Sequence, residues 1–238
     1  SDFMYSELSL VAAGSTVKNL KSDSVKNLVG GKKIPTVLDM LRSKKADTLT
    51  LDDLVYAGFN GILCVEAGGP TPGSGCAGRG IITALEKLDQ MGAYQVYRPD
   101  VVLYDVLGDV VCGGFSMPMR QGYADQVFIL TSGEPMAIHA APNIAMALER
   151  FQGRDYAALG GFILNCREVQ DEDKKVQALA EEFGGTVIGS LSRSPLVPQA
   201  EQRGKTVMEA FPESDMAGEY RALAGTVLQI CRGGEPSC

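Results

Sequence analysis

Histidine occurs once in the 238 residues, as His139. With no second histidine and no Ser-His-Asp arrangement, hydrolase chemistry and histidine-bound zinc have little support. Basic runs are missing too, and a net charge of −7 argues against a nucleic-acid binder. No apolar stretch is long enough to span a bilayer, and no signal-peptide pattern opens the chain, so no membrane association and a cytoplasmic location are expected. The six cysteines do not read as a disulfide framework, because the chain is large and has no secretory signal. Internal repeats and low-complexity linkers are also absent. A single domain over 1–238 is therefore expected, with 1–20 hard to place and 232–238 as a tail.

What is present is ordinary for a globular protein. Hydrophobic content is 45% and charged content 21%, and the length suffices to bury a full core. Val101-Val102-Leu103-Tyr104-Asp105 is a continuous β-rich run of the kind buried on both faces of a parallel sheet. Gln126–Thr131 and Gly161–Asn165 repeat that character, Ile62–Val65 is a shorter strand, and Thr186–Gly189 is a late one. Helical spacing separates them over Met136–Phe151 and Glu172–Phe183, and Gly218–Cys231 reads as a terminal helix. Ile34–Leu41 starts a helix with proline near its first turn, and Thr50–Val55 is a short capped segment. Strands alternating with helices imply an α/β fold with a doubly wound, mostly parallel sheet and helices on both faces. Ligands of such sheets bind beyond the carboxyl ends of the strands, where Asp105 and Asn165 lie.

Two cysteines stand apart. Cys76 in Gly75-Cys76-Ala77-Gly78-Arg79-Gly80 and Cys112 in Val110-Val111-Cys112-Gly113-Gly114 are flanked by residues with little side chain, so a bulky inorganic group can approach the backbone. Apolar residues at 81, 82, 85 and 88 predict a helix after Cys76, whose positive end would stabilise a thiolate or an anionic cluster. Iron–sulfur cubanes normally take four thiolates, and one chain offers two in this setting. A two-fold dimer in which each subunit gives Cys76 and Cys112 is the simplest way to four. Cys64, in the apolar run Ile62-Leu63-Cys64-Val65, reads as core; Cys166 follows a strand, and Cys231 and Cys238, near a Gly/Pro-ending tail, read as spectators.

These segments, with Leu63-Cys64-Val65-Glu66-Ala67-Gly68-Gly69-Pro70 and Tyr104-Asp105-Val106-Leu107-Gly108-Asp109, resemble the nitrogenase iron protein (nitrogenase reductase) family, which includes the iron proteins of dark protochlorophyllide reduction. The likeness runs from about Lys21 to Ile230. It implies a P-loop-NTPase-like fold and a homodimer holding one shared [4Fe-4S] cluster on Cys76 and Cys112. It implies electron transfer from a ferredoxin or flavodoxin to a nitrogenase-like catalytic component, coupled to MgATP. By the same likeness Asp105 and Asp109 couple nucleotide to cluster, and Lys21 and Asp23 belong to the other switch loop. Asn165, Glu201 and Tyr220 match nucleotide positions, and Arg79 matches an arginine that docks the partner.

The chain departs from the family at the nucleotide. No segment satisfies Gly-x-x-x-x-Gly-Lys-Ser/Thr, the loop that wraps backbone N–H groups and a lysine around phosphates. Gly204-Lys205-Thr206 has the right ending but Gln199 where the first glycine belongs; Gly30-Gly31-Lys32-Lys33 fails the spacing; Gly14-Ser15-Thr16 has no lysine. Asn19 and Leu20 stand where the family has Asp-Pro, and Ser192, Ser194, Pro198 and Met216 replace its residues around the base. Leu8–Ala13 reads either as a first strand or as the end of a first helix. Either these residues fill the central strand position of the sheet, or that strand lies outside the 238 residues. An iron–sulfur carrier or regulatory homologue without ATP hydrolysis is thus the alternative to the MgATP-coupled reductase. A plain ATPase is a third reading, and it leaves the glycine-embedded cysteines unexplained.

Overall fold

The computed structural model describes residues 8–12, 23–45, 48–68, 77–106, 117–119, 123–151 and 156–233. The chain divides into two compact units, one built mainly from 1–107 with 199–210 and the other mainly from 118–198 with 211–238.

The first unit carries strands β1 (Leu8–Ala12), β2 (Tyr56–Ala57), β3 (Leu63–Glu66) and β4 (Val101–Asp105), in the order β2-β3-β1-β4. β1 runs parallel to β3 and β4, while the two-residue β2 pairs antiparallel with β3. Of the two readings of Leu8–Ala13, the strand is the one observed, and it sits between two neighbours. Its helices are α1 (Asp23–Leu28), α2 (Val37–Ser43), α3 (Ala77–Gln90) and α4 (Ala93–Tyr97). Val25 and Ile34 are buried against Cys64, which fixes α1 and its exit turn on the sheet. Thr36 caps α2 by accepting the Asp39 N–H at 3.1 Å, so Pro35 stands just outside the helix and not in its first turn. The Thr50 segment is a capping box on a single 3-10 turn, Leu51–Asp53. Its Asp53 carboxylate, held by Lys44 at 2.6 Å and by the Thr50 N–H, has its pKa pulled down to about 2.

The second unit carries β5 (Gln126–Thr131), β6 (Ala158–Asn165) and β7 (Val187–Leu191), all parallel, with β6 in the middle. Its helices are α5 (Pro135–Phe151), α6 (Glu172–Glu182) and, after α7 (Leu196–Gln202) and the first unit's α8 (Val207–Ala210), α9 (Asp215–Cys231). Ile129, Ala141, Ala145, Leu179 and Ala180 enclose the Phe162 ring, which has no exposure. The small residues on α5, four apart, let that helix approach the sheet closely.

Burial on both faces holds for β6, where Phe162, Ile163 and Leu164 are buried in succession. It does not hold for β4 or β5. Leu103 is 45% exposed and Leu130 58% exposed. The reason is position: β4 and β5 each end their sheets among the described residues, whereas β6 has a ladder on both sides. No helix of the described residues is long and apolar enough to cross a membrane.

Candidate functional site

In the first unit the carboxyl ends of three strands meet. Ala12, the last residue of β1, is in register with Glu66 on one side and Asp105 on the other. Strands spaced about 4.8 Å apart therefore set these two carboxylates about 10 Å apart at the backbone, flanking the end of β1. Asp105 is exposed, and Glu66 is half-buried. Asp109, Cys76, Cys112 and Lys21 lie outside the described residues. Asp23 is the first residue of α1, and Arg79 falls in the first turn of α3.

Helix α3 begins at Ala77, immediately after Cys76 in the chain, and runs for 14 residues. Ile81, Ala84, Leu85 and Leu88 are buried along one stripe, which anchors the helix and fixes the direction of its N-terminus. The helix predicted from spacing at 81–88 is therefore present, with one more turn at its start.

Burial pushes the Glu66 carboxyl above the usual glutamate range; Lys33 pulls it back and Asp39 adds to the rise. In the unfolded chain it titrates near the ordinary value of about 4.3. Because the folded value is raised, the stability tied to the protonated form is complete below about 4.3 and is lost as pH rises through the folded value. Glu66→Gln is thus expected to raise the urea midpoint at pH 7 and to leave it unchanged at pH 3.5, measured against wild type at each pH.

In the second unit, Asn165 ends β6 half-buried, in register with Leu191 at the end of β7. The next residues, Ser192, Ser194, Pro195 and Leu196, form one wall of a cleft of about 540 Å³. Glu213, Asp215, Met216 and Glu219, around the start of α9, form the other. Three of the four residues singled out as replacements around the base, Ser192, Ser194 and Met216, thus share one cleft. Pro198 and Glu201 lie on α7, and Tyr220 is half-buried on α9 beside Glu219 in sequence. The Glu219 carboxylate accepts the Ser192 N–H at 2.7 Å and ties the end of β7 to α9. Arg193, the basic residue on this cleft, is paired with Glu168 at 3.3 Å. In the sequence the one signal for Glu219 is its adjacency to Tyr220.

Of the phosphate-loop candidates, Gly14-Ser15-Thr16 lies outside the described residues, and the other two are accounted for locally. Gly204 packs on the backbone of Gly31, so that a Cβ on it would lie 2.7 Å from the Gly31 Cα. Lys205 is paired with Glu209 at 2.9 Å. Gly30 and Gly31 form the turn that leaves α1. Cys64 is fully buried, with its thiol pushed up to about 11, and Cys166 is half-buried with its thiol also raised by burial. Cys231 is exposed at the end of α9, and Cys238 lies outside the described residues. His139 is exposed on α5. Among the described residues no group of three or more His, Cys, Asp or Glu is arranged to hold a metal ion.

Comparison with known proteins bears on the same segments. The family model of 4Fe-4S iron sulfur cluster binding proteins, NifH/frxC family, matches residues 15–236. A nitrogenase iron protein of Methanospirillum hungatei is 48% identical over 210 residues, covering 87% of this chain and 74% of its own. One from Methanococcus voltae is 46% identical over 209 residues, covering 88% and 75%. Among solved structures, the cell division ATPase MinD of Pyrococcus furiosus superposes with a TM-score of 0.63 over 93% of this chain and 86% of its own, at 17% identity. That last likeness speaks to the fold, a P-loop-NTPase-like α/β domain.

Proposed function

The chain belongs to the NifH/frxC family of 4Fe-4S iron–sulfur cluster binding proteins, and from this premise we propose that it is a homodimeric electron-transfer protein, a nitrogenase reductase. Its donor would be a ferredoxin or flavodoxin, its acceptor a nitrogenase-like catalytic component, and its compartment the cytoplasm. Residues 1–238 would act as one functional domain in each subunit.

The observation that carries this reading is the start of α3 directly after Cys76, in a chain that the family model matches over residues 15–236. The donor chemistry fits the cluster. Cys76 and Cys112 give two thiolates per chain and four per dimer, and an anionic group is favoured at the positive end of a well-anchored 14-residue helix. When bound, the cluster supplies one-electron redox chemistry. The protein's part is to hold the thiolates, to keep the Gly-rich approach open, and to present Arg79 to the partner from the first turn of the same helix. Asp105, at the open end of β4, and Asp109 would relate nucleotide state to the cysteine loops, with Lys21 and Asp23 in the facing switch.

The nucleotide side fits less well. A cleft of about 540 Å³ is large enough for a small ligand, but Glu213, Asp215 and Glu219 line it, and its arginine is already paired. Asn165 and Tyr220 retain family identities, whereas Ser192, Ser194 and Met216 do not. The acidic lining and the paired arginine favour a second reading, a cluster carrier or regulatory homologue that does not hydrolyse ATP. Iron removal by a chelator, followed with and without MgATP, separates the two. A reductase is expected to release iron several-fold faster with MgATP. A rate indifferent to nucleotide excludes the coupled reductase and leaves the carrier.

A further inference from the structure

We propose that Gly68 and Gly80 form a clamp that fixes where α3 begins and thereby positions Cys76, an inference that rests on the reading of Cys76 as a cluster ligand. The two glycines bracket the segment 69–76. Just before Gly68, the Ala67 carbonyl accepts the Leu38 N–H at 3.2 Å, which ties the exit of β3 to the first turn of α2. Gly68 itself has φ +85°, and a Cβ there would lie 2.4 Å from the Oγ1 of Thr36, the buried cap of α2. Both the backbone conformation and the space demand glycine.

On the far side of the segment, Gly80 is buried in the first turn of α3. A Cβ on it would lie 2.7 Å from the Gly68 carbonyl oxygen and 2.9 Å from Leu38 Cδ1. The helix that follows Cys76 therefore rests directly on the residue from which the segment departs. Its start is set by packing against strand exit and α2, with Ile81, Ala84 and Leu85 holding it from behind. A ligand on such a rigid element is held far more closely than one on a free loop. A methyl group at position 80 meets a backbone carbonyl that cannot rotate aside, so α3 must lift, and a close-packed interior passes that shift on. Metal–ligand distances tolerate only about 0.2 Å.

The test uses the full chain purified without oxygen, as wild type, Gly80→Ala and Gly225→Ala. Gly225 lies in α9 with open space where its Cβ would go, so it controls for adding a methyl group to a helix. Gly80→Ala is expected to keep the far-ultraviolet circular dichroism of wild type. Its dithionite-reduced electron paramagnetic resonance signal should change, and it should lose iron to 2,2′-bipyridyl about tenfold to a hundredfold faster. Gly225→Ala should match wild type in every respect. If Gly80→Ala does not fold, the Gly80→Ala/Leu38→Ala double variant removes the side-chain half of the clash and keeps the carbonyl half. It is expected to show the same altered signal. A wild-type signal and chelation rate in whichever variant folds overturns the clamp. Wild-type protein that holds no iron overturns the ligand reading and the clamp with it; iron-loaded wild type beside an unaltered variant overturns the clamp alone.

Discussion

Cys76→Ala is expected to yield a folded protein with no iron–sulfur cluster: about four irons per wild-type dimer, and close to none in the variant. Each chain offers two glycine-embedded cysteines, so removing Cys76 from both subunits takes two of four thiolates at once. Cys64 is fully buried with its thiol pushed up to about 11, so it stays protonated and out of reach at neutral pH. Cys166 and Cys231 also have raised thiols. The fold should survive, because α3 is anchored by Ile81, Ala84, Leu85 and Leu88 and not by the residue before it. Cys64→Ala makes the opposite control, expected to lower stability through a core cavity while keeping iron. Iron and acid-labile sulfide analysis beside circular dichroism reads both outcomes. A Cys76→Ala protein that keeps its iron rules the residue out as a ligand.

The largest expected loss of stability comes from Phe162→Ala, about 3–5 kcal/mol. Phe162 is the central side chain of the central strand of the second unit, without exposure, and enclosed by residues from β5, α5 and α6. The surroundings cannot close over the hole. Ala141, Ala145 and Ala180 are already small, and they line one side of the ring. A Cβ on Gly185 would lie 3.0 Å from the ring, so the fit is tight there as well. Domains of this kind are stable by only about 5–15 kcal/mol, so the change removes a large share. Urea unfolding should show it as a lower midpoint at unchanged slope, and Phe162→Leu should recover most of it. A loss under about 1 kcal/mol would mean that the unit's core is not organised on this ring.

Much of the fold could be read from residue pattern because the signals are local. Gln126–Thr131 matches β5 to the residue, since β-branched and aromatic side chains are bounded by a glycine-containing turn. Helix α5 runs from Pro135 to Phe151 despite an internal Pro142, because apolar spacing and packing on β5 outweigh one lost hydrogen bond. Other edges were set by partners far away in the chain. β6 begins at Ala158 and not at Gly161 because Gln126 and Val127 pair with Ala158 and Leu159, a ladder that Gly160 and Gly161 conceal. The start of α9 is instead a local matter: it begins at Asp215, and not at Gly218, because Ser214 caps it by accepting the Ala217 N–H at 3.2 Å. α4 and β2, of five and two residues, are too short to leave a periodic mark.

The site was legible to the extent that it is written in contiguous motifs. The helix after Cys76 and the strand ends at Asp105 and Asn165 are of that kind. The contact of Gly80 with Gly68, and the hydrogen bond from Ser192 to Glu219, join residues 12 and 27 positions apart, and no local pattern announces them. The exposure of Leu103 and Leu130 was equally hidden, because a β-rich run looks the same in a middle strand as in a strand at the end of its sheet.

The most direct measurement is the mass of the anaerobically purified protein in its native state, taken together with its iron and sulfide content. Two chains carrying one set of about four irons and four sulfides is the expected result. A monomer with a cluster of its own, or a dimer with about eight irons, would contradict a cluster shared through Cys76 and Cys112.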